Sequence, residues 1–136
     1  MEIRTLDDQL SVSGQVTPEE LAALAARGVR HIICNRPDGE GADQPAYAEV
    51  QRAAEAAGIQ AHYLPVVAGK VSDAEARDFG QLLDAIEGPV HAYCRTGMRS
   101  TTLWALSRGR SGLAPTEIIR RGREAGYDMS SVVARV

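Results

Sequence analysis

The sequence predicts an α/β fold: a mainly parallel central sheet flanked by helices. Three observations lead there. Helical patterns alternate with short apolar runs along the chain. Two helix starts carry capping-box signatures. Glycines stand where helical periodicity stops. The 136 residues form one domain over 1–136, large enough for a single core without staples.

Thr17-Pro18-Glu19-Glu20 reads as a helix start, with Thr17 as N-cap, Pro18 at the first position and Glu20 completing the box. Leu21, Leu24 and Ala25 supply its buried face, and Gly28 ends it. Val29 to Cys34 is a short apolar strand. Pro45 opens a second helix that runs to Gly58, and residues 59–67 contain the next strand. Ser72-Asp73-Ala74-Glu75 is the second capping box. Phe79, Leu82, Leu83 and Ile86 then recur at helical spacing until Gly88. Val90 to Tyr93 is a strand, followed by Cys94, a tight loop and a helix from Ser100. Pro115 starts the last helix, with Ile118, Ile119 and Ala125 toward the core. Ligands of parallel sheets sit beyond the carboxyl ends of strands. Both Cys94 and the Asn35-Arg36-Pro37-Asp38 turn are expected at that edge.

Net charge is −3, which favours neither nucleic acid nor an anionic membrane as partner. No run is apolar enough to span a bilayer, and Met1-Glu2-Ile3-Arg4-Thr5 lacks the pattern of a signal peptide. Two cysteines without such a signal fit free thiols in a cytoplasmic protein. Their spacing, with isolated His31 and His62, offers no metal site, and no cofactor is expected.

The residues Cys94-Arg95-Thr96-Gly97-Met98-Arg99-Ser100 carry the chemistry. A cysteine at a strand end, followed by a glycine loop and a helix, lies at the floor of a ring of backbone N–H groups. The positive end of the helix dipole points into the same ring. Every such neighbour favours the thiolate, which is the nucleophilic form. Arg99 at a helix start is electrostatically disfavoured unless an anion occupies the ring. Arg95 and Met98 are expected to point outward and shape access; Thr96 and Gly97 complete the ring. The Ser100 hydroxyl can donate to the Cys94 sulfur or act as an N-cap. Arg36, on a turn at the same edge, is a candidate to hold an anionic substrate; Asp38 and Glu40 are weaker candidates. His91, three residues before Cys94, falls on the opposite strand face and reads as structural. Cys34 reads most simply as a core thiol, with a resolving cysteine for Cys94 as the alternative.

The Cys94–Ser100 segment closely resembles the active-site loop of single-domain rhodaneses, the thiosulfate-type sulfurtransferases. The chain as a whole, through Leu10–Gln15, Val29–Glu40, His62–Val67 and Gly88–Ser100, resembles the phosphatase-like domain of the beta-lactamase hydrolase-like proteins. The resemblance spans about Leu10 to Val133. It implies a dual-specificity-phosphatase type of scaffold, with a persulfide dioxygenase domain as a partner in some members.

Two reactions compete. In cysteine phosphatases five residues separate cysteine and arginine; here four do. A shorter ring suits a single sulfur atom. The first expectation is therefore a rhodanese-type sulfurtransferase. It would carry sulfane sulfur from thiosulfate or glutathione persulfide, as a Cys94 persulfide, to a thiol acceptor. The alternative is a protein-tyrosine or dual-specificity phosphatase working through a Cys94 phosphocysteine with Arg99 clamping the oxygens. Tyr93 stands where such phosphatases usually carry histidine. Leu64 to Lys70, where their general acid would fall, has no carboxylate.

Overall fold

The computed structural model describes residues 1–136. A five-stranded sheet is formed by β1 (Arg4–Thr5), β2 (Leu10–Ser13), β3 (His31–Cys34), β4 (Gln60–Tyr63) and β5 (Val90–Tyr93). Its order is β1-β2-β5-β3-β4. Only β1 is antiparallel to its neighbour; the other pairings are parallel. The helices are α1 (Leu21–Ala26), α2 (Tyr47–Ala56), α3 (Asp73–Ala85), α4 (Met98–Arg110) and α5 (Pro115–Glu124), with single 3-10 turns at Pro18–Glu20 and Val133–Arg135. The α/β expectation holds, as a mixed sheet that is mainly parallel.

Strand alternation divides the core into two layers. Leu10, Val12, Ile33, Val90 and Ala92 pack against Phe79 and Leu83 of α3, Leu103 and Trp104 of α4, and Ile118 of α5. Ile32, Cys34 and Tyr93 face Leu21 and Leu24 of α1 and Val50 and Ala54 of α2. Helix α4 is buried from Arg99 to Ser107, as a helix wedged between sheet and neighbouring helices must be. Its Trp104 indole donates to Asp7 Oδ2 at 2.9 Å. No helix is long and apolar enough to cross a membrane.

The Ser72 box forms in full: Glu75 N–H donates to Ser72 Oγ at 3.1 Å, and Ser72 N–H donates to Glu75 Oε1 at 2.9 Å. The Thr17–Glu20 box is present as well. Thr17 N–H and its hydroxyl both donate to Glu20 Oε1, at 2.8 and 3.1 Å, and the first turn is 3-10.

Three features depart from the expectation. Strands β1 and β2 add an edge that the sequence reading does not place, because β1 has two residues and β2 four, two of them serines. Ser11 and Ser13 lie across from His91 and Tyr93. Their hydroxyls meet His91 Nδ1 and Nε2 at 2.8 and 2.7 Å. Helix α2 starts at Tyr47, past Pro45. Helix α4 starts at Met98 with Gly97 as N-cap, two residues before Ser100.

Candidate active site

Three parallel strands deliver the site from one edge. Asn35 N–H, just past β3, donates to Tyr93 O at 2.8 Å. Leu64 N–H donates to Cys34 O at 2.9 Å and Val66 N–H to Asn35 O at 3.0 Å. The ladder thus continues beyond the strand ends. The Asn35 side chain donates to Leu64 O at 2.8 Å and accepts the Ser100 hydroxyl at 2.8 Å, tying all three exits to α4. Ser100 therefore braces the frame from within; it neither caps the helix nor donates to Cys94.

Cys94 is 1% exposed and leaves β5 directly into the loop. Its Sγ accepts the Gly97 N–H at 3.1 Å. Gly97 has φ +93°, a left-handed conformation that lets the chain turn from the loop into α4. A side chain there would run into the Tyr127 hydroxyl. Gly14, at the end of β2, lets the backbone come close: a Cβ would lie 2.8 Å from Arg95 O. The first turn of α4 leaves N–H groups without helical acceptors at the site. Arg95, Thr96 and Met98 are exposed, which places Arg95 and Met98 outward as expected.

Arg99 is 7% exposed on that first turn. Its NH1 donates to Glu40 Oε2 at 2.8 Å and to Val66 O at 2.9 Å, while NH2 donates to Glu40 Oε1 at 2.8 Å. This is a bidentate fork on a carboxylate. Arg36 approaches the same group, its Nε donating to Glu40 Oε1 at 3.1 Å and its NH1 to Gln15 Oε1 at 2.9 Å. Hydrogen bonding to Arg99, with Arg36 adding to it, holds the Glu40 carboxyl below its usual range. The Glu40 interaction in turn raises Arg99, so the fork stays charged.

The loop carrying Glu40 is tied down along its length. Tyr47 N–H donates to Asp38 Oδ1 at 2.8 Å, and Asp38 N–H to the Tyr63 hydroxyl at 2.9 Å. Gln44 Oε1 accepts from Glu40 N and Gly41 N at 3.1 and 3.2 Å.

Arg99 and Arg36 meet on Glu40, and Cys94 heads the loop that leads into Arg99. Glu40, a weaker candidate by sequence, is the hub of the cluster. Tyr127 was not anticipated, since an isolated tyrosine in the C-terminal segment gives no signal. His91 is structural, bridging Ser11 and Ser13. Cys34 is a core thiol: its S–H donates to Arg36 O at 3.2 Å, and burial pushes its pKa up. Asp73 begins α3 and binds Arg110 and Arg135, at 2.7 and 3.0 Å. Among His, Cys, Asp and Glu no group of three or more is placed to hold a metal ion.

Residues 2–111 match the family model of the beta-lactamase hydrolase-like protein, phosphatase-like domain. The beta-lactamase hydrolase-like protein of Xylella fastidiosa (strain Temecula1) is 34% identical over 134 residues, 98% of this chain. The chain spans 31% of that relative's length. A crystal structure from Neisseria meningitidis Z2491, described as a "putative phosphatase", is 39% identical with a TM-score of 0.89, covering 99% of this chain and 96% of that one. Pseudomonas aeruginosa TpbA, solved in complex with pTyr, is 20% identical with a TM-score of 0.67, covering 98% and 88%. At that identity it shares the fold.

These likenesses overturn the sulfurtransferase expectation and favour the phosphatase alternative. The physical reason is visible at Arg99. By spacing, the four-residue loop suits a single sulfur better than a phosphoryl group. Yet the Arg99 fork spans both oxygens of a carboxylate, so the short loop does not stop the arginine from embracing a planar two-oxygen edge.

Proposed function

Because the chain belongs to the family of the beta-lactamase hydrolase-like protein phosphatase-like domain, we propose that it is a cysteine-dependent phosphatase working through a Cys94 phosphocysteine. One observation carries the reading. The Arg99 fork holds an anion's two oxygens at 2.8 Å each, on a loop whose cysteine already accepts a backbone N–H. With Glu40 displaced, the same fork would be free to take two non-bridging phosphoryl oxygens.

Substrate entry displaces Glu40 from Arg99. The Cys94 thiolate then attacks phosphorus, an S–P bond forms, and the bond to the ester oxygen breaks with its electron pair going to the leaving group. Arg99 and the N–H groups of the loop and first turn of α4 stabilise the oxygens as charge builds on them. Water next attacks phosphorus; the S–P bond breaks, inorganic phosphate forms and the thiolate returns. The segment after β4 gives Arg99 the Val66 carbonyl and contributes no carboxylate as proton donor. The preferred esters are therefore those whose leaving oxygen needs little protonation, such as aryl phosphates.

The test is hydrolysis of p-nitrophenyl phosphate by wild type and Cys94→Ser, with rapid acid quench and intact-mass analysis. Turnover should vanish in Cys94→Ser, and the quenched wild type should carry one phosphoryl group on Cys94. Equal rates in the two proteins, or no turnover in the wild type, would overturn the reading.

A further inference from the structure

We infer that Tyr127 is a positioning residue that acts on the Cys94 sulfur through the Thr96–Gly97 peptide. Both ends of that single amide are engaged. Its N–H, on Gly97, donates to Cys94 Sγ at 3.1 Å. Its C=O, on Thr96, accepts from the Tyr127 hydroxyl at 2.9 Å. An amide whose carbonyl accepts a hydrogen bond is a better N–H donor, because linked hydrogen bonds polarise one another. The Tyr127 hydroxyl also fixes which way the peptide faces. The carbonyl is held outward, so the N–H must face the sulfur.

The approach is tight, and the chain holds it on both sides. Gly97 sits against the Tyr127 hydroxyl so closely that no Cβ fits between them. The Tyr127 backbone is anchored to the end of α5, where its N–H donates to Gly122 O at 2.8 Å. Gly126, at φ +94°, reverses the chain just before it. Two residues on, Met129 is fully buried in the core. A carbonyl can only accept, so the phenol must be the donor. Burial, and then the nearby Cys94, raise the Tyr127 phenol above its ordinary value, which keeps it protonated.

This role rests on Cys94 being the nucleophile of the proposed phosphatase, but thiol reactivity can be read without any phosphate ester. The experiment is alkylation of Cys94 by iodoacetamide across pH, followed by peptide mass spectrometry, in wild type, Tyr127→Phe and Tyr127→Leu. Phe keeps the ring and removes only the hydroxyl. Because the site is at the rim, water can reach the Thr96 carbonyl and replace part of the lost bond. The expected slowing at a fixed pH on the rising limb is therefore about two- to fivefold, from a fraction of one hydrogen bond. The rate profile should also move to higher pH, with little change in melting temperature. A Tyr127→Phe profile that superimposes on wild type overturns the inference. If the Leu variant alone is slow, Tyr127 merely packs. Because no substrate enters the assay, absence of phosphatase activity would leave this result standing on its own.

Discussion

Lowering the pH from 7 to 5 should destabilise the protein through one buried side chain, His91. It is fully buried, and its ring spans Ser11 and Ser13. The Ser13 hydroxyl donates to Gly14 O at 2.8 Å, so it accepts at His91 Nε2. That assigns the ring proton to Nε2 and leaves Nδ1 to accept from Ser11. The neutral ring is satisfied on both sides, and the Glu20 charge that would favour the protonated ring is outweighed by burial and Arg27. Burial first, and then the Arg27 charge, lower its pKa from 6.5 to about 4.

The sign follows from proton counting. Below pH 6.5 the unfolded chain takes up a proton that the folded ring refuses. Stability is complete above 6.5 and drains away as pH falls toward 4. At about 1.4 kcal/mol per pH unit, the full effect reaches about 3 kcal/mol, and the part between 6.5 and 5 about 2 kcal/mol. A domain is stable by only about 5–15 kcal/mol, so this is a substantial share.

Urea unfolding at pH 7 and pH 5 measures it, with a midpoint lower by about 1 M at pH 5. Stopping at pH 5 keeps the measurement above the range where Glu40 takes up its proton. His62, half-buried beside His31 and also lowered, acts in the same direction. The comparison is therefore made in a His62→Gln background, with and without His91→Gln. NMR of the wild type follows the His91 ring directly. A ring that titrates near 6.5 in the folded protein, or an acid loss unchanged by His91→Gln, would refute the reasoning.

Arg99→Lys keeps the charge and loses the planar fork. At least one charge-assisted hydrogen bond to the reacting phosphoryl group goes with it, at about 1.5–3 kcal/mol. The value of kcat/KM for p-nitrophenyl phosphate should fall on the order of a hundredfold with the circular dichroism unchanged; a fall of less than threefold would mean that charge alone suffices. Glu40→Gln keeps the shape but removes the carboxylate that substrate must displace. KM should drop by about three- to tenfold, a range discounted because Glu40 is partly exposed. A higher KM with a lower kcat would show instead that Glu40 aims Arg99.

The frame of this protein is largely written in local signals. Ser72 and Glu75 announce α3 because a capping box is satisfied within four residues. Cys94, Gly97 and Arg99 announce the loop because a strand, a turn and a helix start follow one another directly. What escapes is what depends on partners far along the chain. β2 hides because its serines find their partner in His91, some eighty residues away. The start of α4 hides because a left-handed glycine, rather than a serine, caps it. Glu40 lies 59 residues from Arg99, and nothing in either segment signals the pairing. That blind spot also explains the misjudged reaction. Counting four residues between Cys94 and Arg99 measures contour length, whereas the reach of the guanidinium depends on Glu40 and the Val66 carbonyl, which hold it in place.

The carboxylate between Arg36 and Arg99 makes anion binding an exchange. Two nearly buried guanidinium groups would be costly to fold around without a counter-ion. Glu40 serves as a resident one, so the fold needs no cellular anion to form. In the proposed phosphatase reaction an arriving phosphate ester would be measured against this tethered competitor, and its affinity would be the difference between two anions. Ions that cannot grip the fork with two oxygens, such as chloride, are poor rivals to that tether. The fork thus discriminates by geometry, and in the proposed reaction a released phosphate would face the returning carboxylate.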